Sequence, residues 1–564
     1  MTLSPHHRDA PTTVFRNGRV FTADAARSWA SAVAVEAGRI VAVGGQDAVA
    51  AYLSRADDVV DLDGRVMLPG FLDAHAHPIG GGLERARCDL TGARTATAYR
   101  EIIAAYAVNH PDRFWILGGG WAMEAFPGGR PDRHLLDDVV RDRPVFLPNR
   151  DHHSAWVSSA ALALAGIDRR TPDPADGRIE RDADGVPTGL LHEGAMDLVA
   201  PVLPADTQEE YDEGLREALR HLHSLGIVGW QDALVKADGE PSAHASYLRA
   251  QREGWLTARV SGALWWDRSC PGDGIKAQVA RLAEVRRQVA AEGAAHGERY
   301  RVHSVKVMQD GVIETFTAAL VEPYLDRCGH PTDNHGISFL GPDTLRRATV
   351  ELDAAGFDVH FHALGDRAVR DVLDAIEAAR TANGASGGRH LLAHVQVVQP
   401  DDIARFRRLG AAANLQPLWA CHEPQMDQLT IPFLGPTRSA WQYPFGDLHR
   451  DGATVVMGSD WPVTSPDPIA GIHVAVNRVV DGAPPGTEPL DAGQALPLPV
   501  ALAAYTAGSA WANRVEHHSG SIRVGLRGDI VVLDRDPFDG PPEHIARARV
   551  TRTYVDGHVV HHSD

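Results

Sequence analysis

Two histidines one residue apart, His75 and His77, stand in the stretch Leu-Pro-Gly-Phe-Leu-Asp-Ala-His-Ala-His-Pro from Leu68 to Pro78. If Val66 to His77 is a strand, its side chains alternate with period two, so Asp73, His75 and His77 point the same way. Neutral imidazole is the commonest protein ligand for zinc and similar divalent ions, and two on one strand face make a metal fork. In a chain with 29 histidines such a pair carries little weight alone. Its weight comes from downstream, where Lys306, His362, His394 and Asp460 each stand near the C-terminal end of a short apolar run. A (β/α)8 barrel places its catalytic groups at that end of its strands.

Each of these residues has a chemistry and an ordinary alternative. Lys306, in Val305-Lys306-Val307, sits where an ammonium ion is costly and its pKa is pushed down. A neutral amine can add carbon dioxide and become a carbamate able to bridge two metals; the alternative is a rim lysine paired with Asp310. In Asp358-Val359-His360-Phe361-His362 two histidines share a face, so spacing does not choose between His360 and His362 as ligand. Asp460, in Met457-Gly458-Ser459-Asp460-Trp461-Pro462, can bind metal through one oxygen and accept a proton from bound water through the other. Capping and turns are the common jobs of aspartate.

The elements that must position these residues can be counted. Val66 to His77, Ile227 to Ala233, Ala258 to Trp265, Arg301 to Asp310, Phe357 to His362, Leu391 to His394, Ala412 to Gln416 and Val455 to Asp460 read as eight strands. Amphipathic helices separate most of them, such as Glu209 to Leu225, Lys276 to Ala291, Pro342 to Ala355, Asp366 to Ala379 and Asp401 to Leu409. The expected fold is therefore α/β, a (β/α)8 barrel over 67–517. A doubly wound sheet would want a glycine-rich loop after its first strand, which Asp73 to Pro78 is not. Residues 83–206 break the rhythm and are expected to form an insertion over the barrel mouth. Residues 12–66 and 518–564 read as short alternating strands without a useful helix, and are expected to build one small β-sandwich from both termini.

A chain of 564 residues can hold such a barrel with a second domain and insertions. Its hydrophobic content of 44% with 23% charged residues is that of a folded globular protein. The formal net charge of −19 argues against a nucleic-acid partner and fits a small neutral or cationic substrate better. Cys88, Cys270, Cys328 and Cys421 form no CxxC pair, so free thiols in a reducing cytosol are expected. Met1 to Pro11 is polar, without a signal-peptide core, and no apolar run reaches membrane-spanning length, so the expected location is cytoplasmic, away from membranes.

Taken in order, His-x-His, Lys, His, His and Asp on strands one, four, five, six and eight resemble the metal-dependent amidohydrolase superfamily. The surrounding text looks like its YtcJ-like branch, amidohydrolase family 3. The likeness is carried by Pro69 to His77, Asp151-His152-His153-Ser154-Ala155-Trp156, Val305-Lys306 with Asp310-Gly311, His362-Ala363-Leu364-Gly365-Asp366, His394-Val395-Gln396, Gln416-Pro417, Gly458 to Pro462 and the closing strands from Gly520 to Leu533. The resemblance implies a barrel plus sandwich, one or two divalent ions per chain, usually zinc, held by His75, His77, Lys306, His362, His394 and Asp460, and hydrolysis of a carbon–nitrogen bond by metal-bound hydroxide. It favours His362 over His360, and carboxylation of Lys306 is one of its options. Asp460 would take the proton from water and pass it to the departing amine. His152 and His153, with Glu193 behind them, are candidates for the substrate's polar end. Where the family often has Asn after Trp-Val, this chain has Ser158.

The leading expectation is a hydrolase of a small N-acyl or N-formyl amine, similar to N-substituted formamide deformylase. A cyclic amidase or deaminase on the same centre is the enzymatic rival, and a regulatory or binding protein on this fold is the non-enzymatic one. A ligand set with both Lys306 and Asp460 argues against the last, since a pure binding role needs neither. Trp156 and Trp461, with other tryptophans near strand ends, suggest an aromatic pocket. Homo-oligomerisation is left open.

Overall fold

In a computed structural model of the chain, which describes residues 11–484 and 486–563, eight strands form one sheet in unbroken chain order. They are β1 (Phe71–Ala76), β2 (Ile227–Val235), β3 (Arg259–Trp265), β4 (Tyr300–Met308), β5 (Asp358–Ala363), β6 (Leu391–His394), β7 (Ala412–Leu415) and β8 (Thr454–Met457). Every neighbouring pair is parallel. β1, β5, β6 and β7 are buried along their whole length, which is why they read as apolar runs and not as alternating ones. Helices pack outside them, the one before β2 being Gln208–Ser224, which opens on a Thr207–Glu210 capping box.

The ring is closed beyond β8. Asp460 N–H donates to the His75 carbonyl at 2.7 Å, and His77 N–H donates to the Trp461 carbonyl at 2.7 Å. The Asp73 carboxylate accepts the His75 N–H at 2.9 Å and the Ser459 hydroxyl at 2.6 Å, tying the first strand to the last turn. Gly458 is needed at this seam, since a Cβ there would stand 2.6 Å from the His75 nitrogen.

The expected first strand is two strands. Val66–Pro69 pairs with Ile530–Leu533 and Arg19–Phe21 in a six-stranded sheet, and Phe71–Ala76 starts the barrel. The break falls at Gly70, packed so closely on Val228 that a Cβ would lie 2.5 Å from Cγ1. His77 consequently lies past the strand, at the N-cap of the helix Pro78–Arg85. Likewise Asp460 follows β8 in a left-handed turn instead of ending it.

Strands from both chain ends share the six-stranded sheet, which faces a four-stranded sheet built from Arg39–Gly44, Ala32–Glu36, Thr13–Arg16 and Asp58–Asp61. Phe15, Val35 and Met67 bury against Ile530, Val532 and Tyr554 between them. An eight-residue helix, Gln46–Leu53, lies in the N-terminal part, where no useful helix is expected from the sequence. The run Ser521 to Val524 is loop. After β1 the chain builds a fourth sheet, of six strands, among them Val145–Pro148, Ser154–Val157 and Pro187–Glu193, with its own core around Tyr99, Trp121 and Trp156. All four cysteines are free, and no described helix is long and apolar enough to cross a membrane. The polar stretch up to Ala10 lies outside the described residues.

Candidate metal centre

The C-terminal ends of the barrel strands converge on one tight cluster. His75 Nε2 lies 3.2 Å and His77 Nε2 3.1 Å from Asp460 Oδ1, and Lys306 Nζ lies 3.4 Å from His75 Nε2. Two ligand atoms sharing a tetrahedral zinc with bonds near 2.0–2.1 Å stand about 3.3 Å apart, close to these separations.

A hydrogen-bond relay decides where the His75 lone pair sits. The Gln231 side-chain oxygen on β2 can only accept, so the His360 Nδ1 beside it carries the proton. Neutral His360 then presents an unprotonated Nε2 to His75 Nδ1 at 2.8 Å, and His75 Nδ1 must donate. That leaves the lone pair on His75 Nε2, facing Asp460. Burial, with Lys306 beside it, pushes the His75 imidazole down to about 3, and burial takes His360, His362 and His394 well below the usual imidazole range.

These residues fit a cation. Asp460 Oδ1 is buried without a hydrogen-bond partner, and its neighbour His75 Nε2 also presents an electron pair. Two acceptors so placed repel unless a positive charge lies between them, and His75, His77 and Asp460 form a group whose ligand atoms lie within 4.8 Å of one another. Asp460 holds φ 57° and His394 φ 80°, sparsely populated for non-glycine residues and each costing about 1–3 kcal/mol. Such strain concentrates where geometry serves chemistry.

His394 and His362 face each other beside the cluster, ring centroids 4.5 Å apart, with His394 Nδ1 3.9 Å from Asp460 Oδ2. Gln416 accepts both the His394 N–H at 2.9 Å and Nδ1 at 3.0 Å, so Nε2 carries the lone pair. His362 Nε2 donates to the Gly311 carbonyl at 3.3 Å. The Asp310 carboxylate accepts the backbone N–H groups of Leu364 and Gly365, fixing the turn after His362. It pairs with this turn and not with Lys306, whose ammonium burial lowers to about 8 against the attraction of Asp460.

From the insertion, His153 Nδ1 meets Glu193 at 2.9 Å, Thr317 Oγ1 donates to the same carboxylate at 2.8 Å, and the His153 ring lies 5.5 Å from that of His362. Burial opposes a charge there, but Glu193 raises the His153 imidazole to about 9. His152 turns to Glu84 at 3.0 Å. Trp156 is not brought to the centre: it is buried in the insertion's own core, its indole N–H on the Asp132 carbonyl at 3.1 Å. Trp461 packs on His221 and on Gly81, where a Cβ would be 2.8 Å away, so it works as packing behind the first helix. Sequence reasoning missed Gln231 and left His360 as a rival ligand. The signal was present in Ile227-Val-Gly-Trp-Gln-Asp, where an amide and a carboxylate interrupt an apolar run midway along the strand.

An eight-stranded parallel barrel carrying a two-sheet domain from both termini and this centre defines a metal-dependent hydrolase. The chain belongs to the amidohydrolase family, whose model matches residues 58–561. It is 30% identical over 554 residues to the putative amidohydrolase YtcJ of Bacillus subtilis, covering 97% of this chain and 99% of that one. It is 29% identical over 552 residues to N-substituted formamide deformylase of Arthrobacter pascens, covering 96% of each chain. Among solved structures, an uncharacterized metal-dependent hydrolase from Pyrococcus horikoshii superposes with TM-score 0.71 at 25% identity, covering 94% of this chain and 99% of that one.

Proposed function

We propose that the protein hydrolyses the carbon–nitrogen bond of a small N-acyl or N-formyl amine with the help of a bound divalent ion. The observation that carries this is the buried, unpartnered Asp460 Oδ1 between two histidine nitrogens. The similarity to a formamide deformylase over 96% of the chain supports the bond class. His75, His77 and Asp460 would hold the first ion, and the mixed nitrogen and oxygen donor set suits zinc. His362 and His394, with a carbamate formed on the Lys306 amine, would hold a second.

When bound, a divalent ion supplies an acidified water and a charge that polarises a carbonyl oxygen. The chain supplies the proton path and the orientation. Asp460 accepts the proton released as water adds to the amide carbon, then returns it to the departing nitrogen. His153, positively charged at neutral pH and fixed by Glu193 and Thr317, donates a hydrogen bond to the substrate's oxygen. The insertion covers this chemistry and excludes bulk water.

The test is amine release from a panel of N-formyl, N-acetyl and longer N-acyl amines, with metal-stripped protein as control. Release that depends on metal is expected. Asp460→Asn should lower kcat on the order of 10²–10⁴-fold while metal is still bound. No release by protein shown to contain metal would remove this reading in favour of a cyclic substrate or ring deamination.

A further inference from the structure

Beside the centre lies a narrow cleft, part of it open to solvent. It is continuous with the site: Trp419, in its wall, stacks on the His394 ring at 5.1 Å and 11°, and Leu364 and Val463, also in the wall, follow His362 and Asp460 by two and three residues. Its polar lining is lopsided. Asp151, Glu314 and Glu423 share the lining with one cation, Arg150, which already faces Glu124 at 3.5 Å outside it; Asp151 is turned to the His153 backbone N–H at 2.9 Å, and Arg94 also acts on Glu423. Gln396 is 1% exposed, its amide nitrogen is spent on Gln442 at 3.0 Å, and its amide oxygen accepts nothing among the described residues.

Ionised carboxylates only accept hydrogen bonds, so this wall asks for donors and positive charge from whatever enters. We propose that the cleft receives a cationic group of the substrate, an ammonium or a guanidinium, set against Glu314 and Glu423. The word substrate rests on the amide-hydrolase reading; the binding does not. Burial, with Asp151 nearby, lifts the Glu314 carboxyl to about 7, as expected for an acid whose counter-charge comes from elsewhere. Thr430 Oγ1 donates to it at 3.1 Å and orients it. The favoured amides thus carry a basic tail, and a plain aryl or alkyl amide leaves these carboxylates unpaired.

The test is calorimetric binding of butylguanidinium and its neutral isostere butylurea to the zinc-loaded protein. Two charge-assisted contacts should make the cation bind at least about tenfold more tightly. The preference should vanish in the Glu314→Gln/Glu423→Gln double variant at unchanged metal content. Equal affinities, tighter butylurea, or a preference surviving in that variant overturn the proposal. The wild-type comparison requires no variant, and Glu423→Gln alone locates the site if the double variant does not fold. Tight guanidinium binding without amine release from any amide would sink the hydrolase reading and leave the cation site standing.

Discussion

His75 cannot orient itself; its useful tautomer is imposed by His360 and Gln231, neither of which touches Asp460 in the cluster. Gln231→Leu removes the acceptor that fixes His360, so His360 can present a proton to His75 and push the His75 lone pair to the wrong nitrogen. Metal affinity should then fall about 10–100-fold, the size seen when outer partners of ligands are removed. Competition with a chelator reads this, with circular dichroism to show an intact fold; an unchanged affinity would mean that the relay positions nothing. The six ligand candidates were legible because histidine, lysine and aspartate are conspicuous in apolar runs. The relay was not, since period two puts His360 and His362 on one face and only the third dimension shows which of them His75 turns its Nδ1 toward.

At the scale of elements, the insertion is pinned to the barrel through His153, Glu193 and Thr317, the last in the loop after β4. The His153 pKa rises from 6.5 to about 9 on folding. A raised folded pKa stabilises fully below the unfolded value and is lost as pH climbs through the folded one. The clamp should therefore be at full strength below about pH 6.5 and fade towards pH 9 and above. The gap in melting temperature between wild type and His153→Gln should shrink between pH 6.5 and 9.5; a constant gap would show that the pair does not titrate as described. Barrel strands were legible here because burial on both faces writes continuous apolar runs. The six-stranded sheet of the insertion was largely illegible, with strands as short as Cys88–Asp89 and turns without a fixed period. The break at Gly70 was hidden for another reason: a glycine in a strand pattern does not say which neighbour it approaches.

Across the whole molecule, the barrel floor is fastened to the two-sheet domain by a buried charge network. Arg259, at the start of β3, meets Asp529 at 2.8 Å and also Asp556, which Arg299 reaches as well. Removing one partner strands a buried charge, so Arg259→Ala should cost about 3–5 kcal/mol in urea unfolding. Arg220→Ala, at an exposed pair, should cost about 0–1 kcal/mol. Activity of the folded Arg259→Ala fraction should be unchanged, because the network lies at the opposite end of the strands from the centre. Loss of kcat without loss of stability would contradict this.

The seam that closes the barrel has a consequence for how the protein matures. Asp73 and Ser459, whose side chains meet at 2.6 Å, are separated by 386 positions, and the candidate ligands on either side of the seam are nearly as far apart in the chain. A nascent chain still on the ribosome before β8 emerges holds His75 and His77 but has no Asp460 to complete the grip. On the proposed ligand set, the first ion can be fully gripped only after almost the entire polypeptide has been made, and a fragment truncated ahead of Gly458 lacks the Asp460 share of that grip. Retention of an ion at this centre reports that the two ends of the barrel have met.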